Sequence, residues 1–297
     1  MRIFVTGASG WIGSAVTAEL LAAGHQVTGL ARSEQSAAAI ESAGATALPG
    51  TLADLDTLRT AARDSEGVVH LGYSHDFSDM AGAGRTERAV LEAFGDALEG
   101  SGKPLVIASG MAGSQPGLVL TEDVASPFVG PDSMRGGSEN LALSFVDRGV
   151  RAVSSRFTPT VHGEGDHGFI AHLVGIAREK GAAGYVGDGS GHWPAVHRSD
   201  AARLVRRGLE SAPAGTILHA VGERGIPTRE IAEAIGRGLG VPAVSIDPAD
   251  AEAHFGWIGL FFGMDIQASS AATQRLMNWT PTGPTLIEDL DAGYYTR

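Results

Sequence analysis

Thr6-Gly7-Ala8-Ser9-Gly10-Trp11-Ile12-Gly13 is the stretch that decides how this chain folds. It follows a short apolar run, Ile3 to Val5. It leads into residues 12–23, where Ile12, Val16, Leu20 and Ala23 recur at helical spacing before Gly24 caps the end. A glycine loop between a strand and a helix has a specific use. Gly7 permits the tight turn, Gly10 lets the backbone approach a pyrophosphate, and Gly13 lets the helix lie close on the strand. The helix N-terminus adds amide donors and a partial positive charge for the phosphates. The motif is weak evidence alone, but here a second strand follows at the right distance. Residues 1 to about 75 therefore read as a dinucleotide-binding half-domain.

Strand and helix patterns keep alternating outward from the loop. Gln26 to Leu30 reads as a strand, 34–43 as a helix, Ala45 to Leu48 as a strand, 55–63 as a helix and Val68 to Leu71 as a strand. A helix over 84–99, the strand Pro104 to Ala108, a helix over 135–148 and the strand Val150 to Arg156 continue the series. Such alternation implies an α/β chain with a doubly wound parallel sheet, the Rossmann arrangement. After Phe157 the texture changes. Gly163 to Trp193 is rich in glycine and histidine, with a helix near 168–180. Further helices follow over 199–211 and over 228–239, the latter capped by Thr228 with Ile231, Ile235 and Leu239 on one face. Residues 1–160 are thus expected to form the dinucleotide-binding domain. Residues 161–297 are expected to form a smaller substrate lobe interleaved with the core sheet. The run Phe255 to Phe262 is too short to span a bilayer and reads as core or apolar pocket wall, otherwise as an interface patch.

Composition narrows the chemistry. With a formal net charge of −12 spread along 297 residues, the surface repels phosphate backbones, so nucleic acid is not an expected partner. There is no cysteine, which excludes disulfides, thiolate catalysis and cysteine metal sites. No run approaches the ~18 apolar residues of a membrane span. The chain opens directly on a strand with no signal-peptide pattern, and cytoplasm is the expected location. His162, His167 and His172 recur every five residues, as do His192 and His197. That spacing is off one helix face and has no H-E-x-x-H context, so no metal is expected. Ser109 lacks the G-x-S-x-G elbow of a hydrolase.

The residue ending the second strand chooses between dinucleotides. An acid there binds the ribose 2′-hydroxyl of NAD, whereas a nearby arginine accommodates a 2′-phosphate. The chain reads Gly29-Leu30-Ala31-Arg32-Ser33, with a guanidinium and no acid. Arg32 offers a fork of donors and Ser33 one more, so NADP is expected rather than NAD.

These motifs resemble the short-chain dehydrogenase/reductase superfamily in its extended form, related to sugar-nucleotide epimerases and dehydratases. The resemblance covers nearly the whole chain. It rests on Thr6 to Gly13, Val68-Val69-His70-Leu71-Gly72, Val106-Ile107-Ala108-Ser109-Gly110, Arg156 to Gly163, Val196 to Asp200 and Met277 to Pro281. It implies a cofactor site drawn from Gly7, Ser9, Gly10, Trp11, Ile12, Gly13, Arg32, Ser33, Thr51, Leu52, Leu71, Gly72, Tyr73, Arg135, Pro159, Thr160 and Val161. Thr51 stands where many relatives carry an Asp contacting adenine. The larger departure is the family's Tyr-x-x-x-Lys pair. None of Tyr73, Tyr185, Tyr294 and Tyr295 has a lysine four residues on, and the only lysines are Lys103 and Lys180. Aligning Glu139 with a family glutamate puts Arg135 at the lysine position and Pro131 at the tyrosine position. Arg135 can hold the ribose, but a guanidinium does not donate its proton.

With the pair missing, Ser109 is the expected hydroxyl donor to a substrate oxygen and Tyr73 the replacement acid, with Arg135 beside the cofactor. Met111, His162, His167 and Trp193 are expected on the substrate side. The expected function is NADPH-dependent reduction of a small, fairly apolar carbonyl or conjugated carbonyl compound. The rivals are a sugar-nucleotide epimerase or dehydratase, and a catalytically silent NADP-binding sensor. The family also implies a homodimer built from the fourth and fifth helices, here through Val90, Leu91, Phe94 and Leu98 and through Leu141, Leu143 and Phe145.

Overall fold

A computed structural model of the chain describes residues 1–74, 79–111 and 117–296. The first strand, β1 (Arg2–Thr6), shows how the sheet is made. Ile3 and Val5 point to one face and Phe4 to the other, and all three are buried. Period-two side chains buried on both sides require covering layers on both sides. Helices α1 (Trp11–Ala22), α2 (Glu34–Ser42) and α7 (Arg198–Ser211) cover the Ile3/Val5 face. Helices α3 (Leu55–Asp64), α4 (Met80–Leu98) and α5 (Ser138–Ser144) cover the Phe4 face.

Between these layers lie β1, β2 (Gln26–Ala31), β3 (Thr46–Pro49), β4 (Gly67–His70), β5 (Pro104–Gly110), β7 (Arg151–Phe157) and β11 (Thr216–Ala220). They form a seven-stranded, wholly parallel sheet in the order β11-β7-β5-β4-β1-β2-β3. The chain runs outward from β1 to β3, then restarts at β4 on the other side of β1. That reversal opens a crevice beyond the C-terminal ends of β1 and β4, where ligands of such sheets bind. The expected doubly wound sheet is the observed one.

The second lobe has its own core. The short strands β6 (Val119–Leu120) and β8 (Thr160–His162) leave the main sheet. Beyond them come α6 (Phe169–Lys180), β9 (Ala183–Val186) and β10 (His192–His197), then β12 (Glu223–Pro227), α8 (Thr228–Leu239) and β13 (Ala243–Ile246). Helices α9 (Ala251–Phe255) and α10 (Ile258–Phe262), strand β14 (Gln267–Ala268) and helices α11 (Ala271–Met277) and α12 (Leu286–Asp291) complete it. Ile170, Trp193, Ile231, Phe255, Ile258 and Leu286 pack in this core. Between its parts the chain returns to the main sheet through α7 and β11. The aromatic run is used in this core through Phe255, Ile258 and Phe262, while Trp257 stays 44% exposed.

Two expectations need correction. The helix expected over 135–148 begins only at Ser138, because Arg135, Gly136 and Gly137 hold left-handed φ of 54°, 61° and 62°. The faces assigned to a dimer are used within the chain. Val90, Leu91, Phe94 and Leu98 are fully buried and pack with Phe145 against the sheet. The outer side of these helices carries Arg88–Glu92 and the pairs of Arg148 with Asp96 and Glu99. No helix among the described residues is long and apolar enough to cross a membrane.

Candidate active site

The glycine loop is shaped by close approach. Gly7 has φ +68°, and a Cβ there would lie 2.8 Å from the backbone of Leu71 and Gly72. A Cβ on Gly13 would lie 1.9 Å from the Gly7 carbonyl oxygen, so helix and loop meet only through glycine. Gly10 is the N-cap of α1 and supplies no capping side chain, and the first turn carries no acid. The first-turn amides are therefore left without a capping side chain among the described residues, which fits a pyrophosphate. Nearby, the buried Thr160 hydroxyl has no partner among the described residues, while Val161 gives its carbonyl to the Trp11 indole at 2.6 Å. Pro159 is half-buried at the same turn.

At the far end of this crevice, Arg32 follows β2, is exposed, and makes no hydrogen bond or ion pair among the described residues. Ser33 caps α2, its Oγ accepting from the Ser36 amide at 3.2 Å. Thr51 donates its amide and hydroxyl to Asp54 at 2.6 and 2.8 Å, which holds that carboxyl below its usual range. Leu52 packs on the core of the Phe4 face. Arg32 is thus the one cation here left open to an anion, among the described residues named for the adenine end.

At the end of β4 the chain runs Leu71-Gly72-Tyr73. Behind it lies a buried polar line. The Thr6 hydroxyl accepts from the Gly72 amide at 3.1 Å and meets His70 Nδ1 at 2.6 Å. His70 Nε2 reaches Glu87 at 3.1 Å, and both side chains are 1–2% exposed. The other Glu87 oxygen lies 3.9 Å from the Arg135 guanidinium, which sits over the Tyr73 ring at 4.1 Å from its centroid. Burial pushes the Tyr73 phenol up from its ordinary value; Arg135 pulls it down and Glu87 adds to the rise. The phenol is therefore protonated near neutrality, with a cation beside it to receive a phenolate's charge. Arg135 and Tyr73, 62 positions apart in the chain, are brought together by the left-handed turn 135–137, where a Cβ on Gly136 would lie 2.6 Å from the Gly84 oxygen.

Ser109 sits differently from its expected role. Its hydroxyl donates to Glu139 at 2.6 Å, and Glu139 is paired through both oxygens with the buried Arg156. Arg156 also donates to the Val124 carbonyl at 2.8 Å and lies 3.3 Å from His219 Nε2. Burial lowers the His219 pKa, consistent with a neutral ring whose other nitrogen donates to the Ser269 carbonyl. With its proton held by Glu139, Ser109 is left as an acceptor.

Of the substrate-side residues, two are removed from the crevice. His162 is fully buried, bonded to Asp289 at 2.6 Å. Trp193 is fully buried in the second core, its indole donating to the Phe261 carbonyl. Both face away because β8 and β10 turn these side chains toward α12 and α10. His167 is exposed and stands edge-on to Trp11, with ring centres 5.6 Å apart. Met111 is half-buried against Leu120, Val221, Ile266 and Ala268. Sequence reasoning missed Glu87, His70, Glu139 as a partner of Ser109, and Arg198.

The family model described as the NAD dependent epimerase/dehydratase family matches residues 3–220. An uncharacterized protein of Schizosaccharomyces pombe is 45% identical over 296 residues, covering 99% of this chain and 100% of that one. The 2′-dehydrokanamycin reductase of Streptomyces kanamyceticus is 28% identical over 253 residues, covering 82% and 68%. A structure of dTDP-glucose 4,6-dehydratase from Streptomyces venezuelae, with NAD and TYD bound, superposes with a TM-score of 0.78 at 20% identity, covering 99% and 96%. The chain belongs to the NAD-dependent epimerase/dehydratase family, the extended branch of the short-chain dehydrogenases/reductases, and is an NAD(P)-dependent enzyme.

Proposed function

We propose that the protein is an NADPH-dependent reductase of a small, fairly apolar carbonyl or conjugated carbonyl compound, with Tyr73 as its proton donor. The observation that carries this reading is the Arg135 guanidinium lying over the Tyr73 ring at 4.1 Å, at the cofactor crevice of a chain without the Tyr-x-x-x-Lys pair. Bound NADPH supplies the hydride. Tyr73 gives its proton to the oxygen, or to the carbon conjugated with it, on which charge builds, and Arg135 steadies the phenolate left behind. Ser109 walls the site and accepts a hydrogen bond from a hydroxyl product. NADPH is favoured by Arg32, and reduction by the likeness to a 2′-dehydrokanamycin reductase.

The test is NADPH and NADH oxidation followed by absorbance with a panel of ketones, enones and sugar nucleotides. We expect turnover of ketones or enones with NADPH. Tyr73→Phe should lower kcat on the order of a hundredfold while cofactor affinity stays near wild type. Interconversion of sugar nucleotides without net NADPH loss would install the epimerase reading instead. Tight NADPH binding with no turnover of any compound would leave a sensor.

A further inference from the structure

We propose that Arg198, on α7, is a positioning residue of the dinucleotide site, locking the glycine loop into the shape that receives the pyrophosphate. This rests on the family's cofactor site and is independent of the reductase reading. Arg198 comes from beyond the second lobe's first strands, yet its hydrogen bonds and its stacking among the described residues are all with the start of α1, while the charge of Asp166 also acts on it. Its guanidinium covers the Trp11 ring at 4.1 Å. Nε donates to the Trp11 carbonyl at 2.6 Å, and an Nη reaches the Ser14 hydroxyl, which itself donates to the Gly10 carbonyl at 2.8 Å. The indole is held from the other side by its bond to the Val161 carbonyl and by the edge-on ring of His167.

The physical need for such a clamp follows from the loop's composition. Gly7, Gly10 and Gly13 have no side chains with which to fix themselves, and the entropy lost in ordering their backbone opposes binding. A loop ordered in advance by a neighbouring element removes that term from the cofactor's binding free energy. The planar fork of arginine can stack on the indole and donate to two oxygens at once, which an ammonium cannot do. The same guanidinium adds positive charge beside the amides of the first turn of α1.

The test uses the full chain and calorimetric titration with NADP and with NAD. Arg198→Met should weaken both cofactors by the same factor, about tenfold, since the clamp acts on the pyrophosphate end that they share. Arg198→Lys should remain within a few-fold of Arg198→Met despite keeping the charge. In the cofactor-free protein, amide exchange across residues 7–14 should quicken while β4 and β5 stay protected. Unchanged affinity with unchanged exchange overturns the proposal. Protection lost throughout the central sheet also overturns it, because Arg198 would then be holding the fold. Should Arg198→Met not fold, Ser14→Ala removes one anchor only and reads the same two quantities. A roughly threefold weakening is then expected, and wild-type affinity and exchange would reject the clamp.

Discussion

Single residues divide sharply by how far their reasons lie along the chain. Gly13 was legible because the atoms that exclude a side chain there belong to the same loop, and Gly7 because the turn it makes requires a positive φ. Arg32 was legible because one strand end decides its surroundings. If it holds a 2′-phosphate, Arg32→Ala should reduce NADP affinity by ~1.5–3 kcal/mol, the range for hydrogen bonds to a charged group, and leave NAD nearly unchanged. Calorimetric titration of both cofactors checks this, and equal losses would reject the assignment. His162 was misread because its partner, Asp289, is 127 residues away. Ser109 was half read: its place at the end of β5 was legible, but the fate of its proton depends on Glu139, which is paired in turn with Arg156. Removing either member of that buried pair should be far more damaging than any surface change, since the other charge is left uncompensated.

At the scale of elements, six of the seven strands of the main sheet were legible from alternation and loop length, while β11 and the turn at 135–137 were not. Three consecutive left-handed residues have no periodic signature, and one of them is an arginine, for which that backbone is strained by ~1–2 kcal/mol. The strain puts the Arg135 side chain over Tyr73. Arg135→Gly relaxes the backbone while removing the charge. Its stability should stay within about 1 kcal/mol of wild type, because the glycine gain offsets the lost contacts. Turnover should fall by at least about tenfold. The tyrosinate absorbance assigned to Tyr73, by difference from Tyr73→Phe, should emerge at higher pH than in wild type, since Arg135 lowers that phenol's pKa. A large fall in melting temperature would mark Arg135 as a structural cap, and unchanged turnover would remove it from proton delivery.

Over the whole molecule, the histidines set a pH dependence that no local reading anticipates. Burial lowers the pKa of His197, His219 and His254. Each stays neutral in the folded chain where the unfolded chain would be protonated, so their contribution is present above about 6.5 and lost as pH falls. His162 runs the other way. Burial alone would lower its pKa, but the hydrogen-bonded Asp289 and the carboxylate of Glu223 at 3.6 Å raise it overall. Its contribution is complete below about 6.5 and is lost as pH rises through the folded value. With three histidines opposing one, the denaturant midpoint should rise from about pH 5 to about 6.5 and then level or decline. A steady fall across the lower window would contradict these assignments. The doubly wound parallel sheet was legible because short parallel crossovers allow few alternatives. The second lobe was not, since its core gathers residues from 170 to 295 through pairings that leave no local pattern.

That long reach has a consequence in time. Translation releases β11 at residue 220, and with it the last strand of the seven-stranded sheet. The second core still lacks Leu286, Leu290 and Tyr295, and His162 still lacks Asp289. Domains tend to fold as they emerge, N-terminal parts first. The sheet can therefore settle while the lobe beside it stands open, with its apolar wall facing the ribosome surface and whatever chaperone waits there. Only when the final turn of α12 leaves the exit tunnel does the histidine gain its carboxylate and the lobe close. The residues named for the cofactor crevice all precede β11, so its parts are made before the lobe can close.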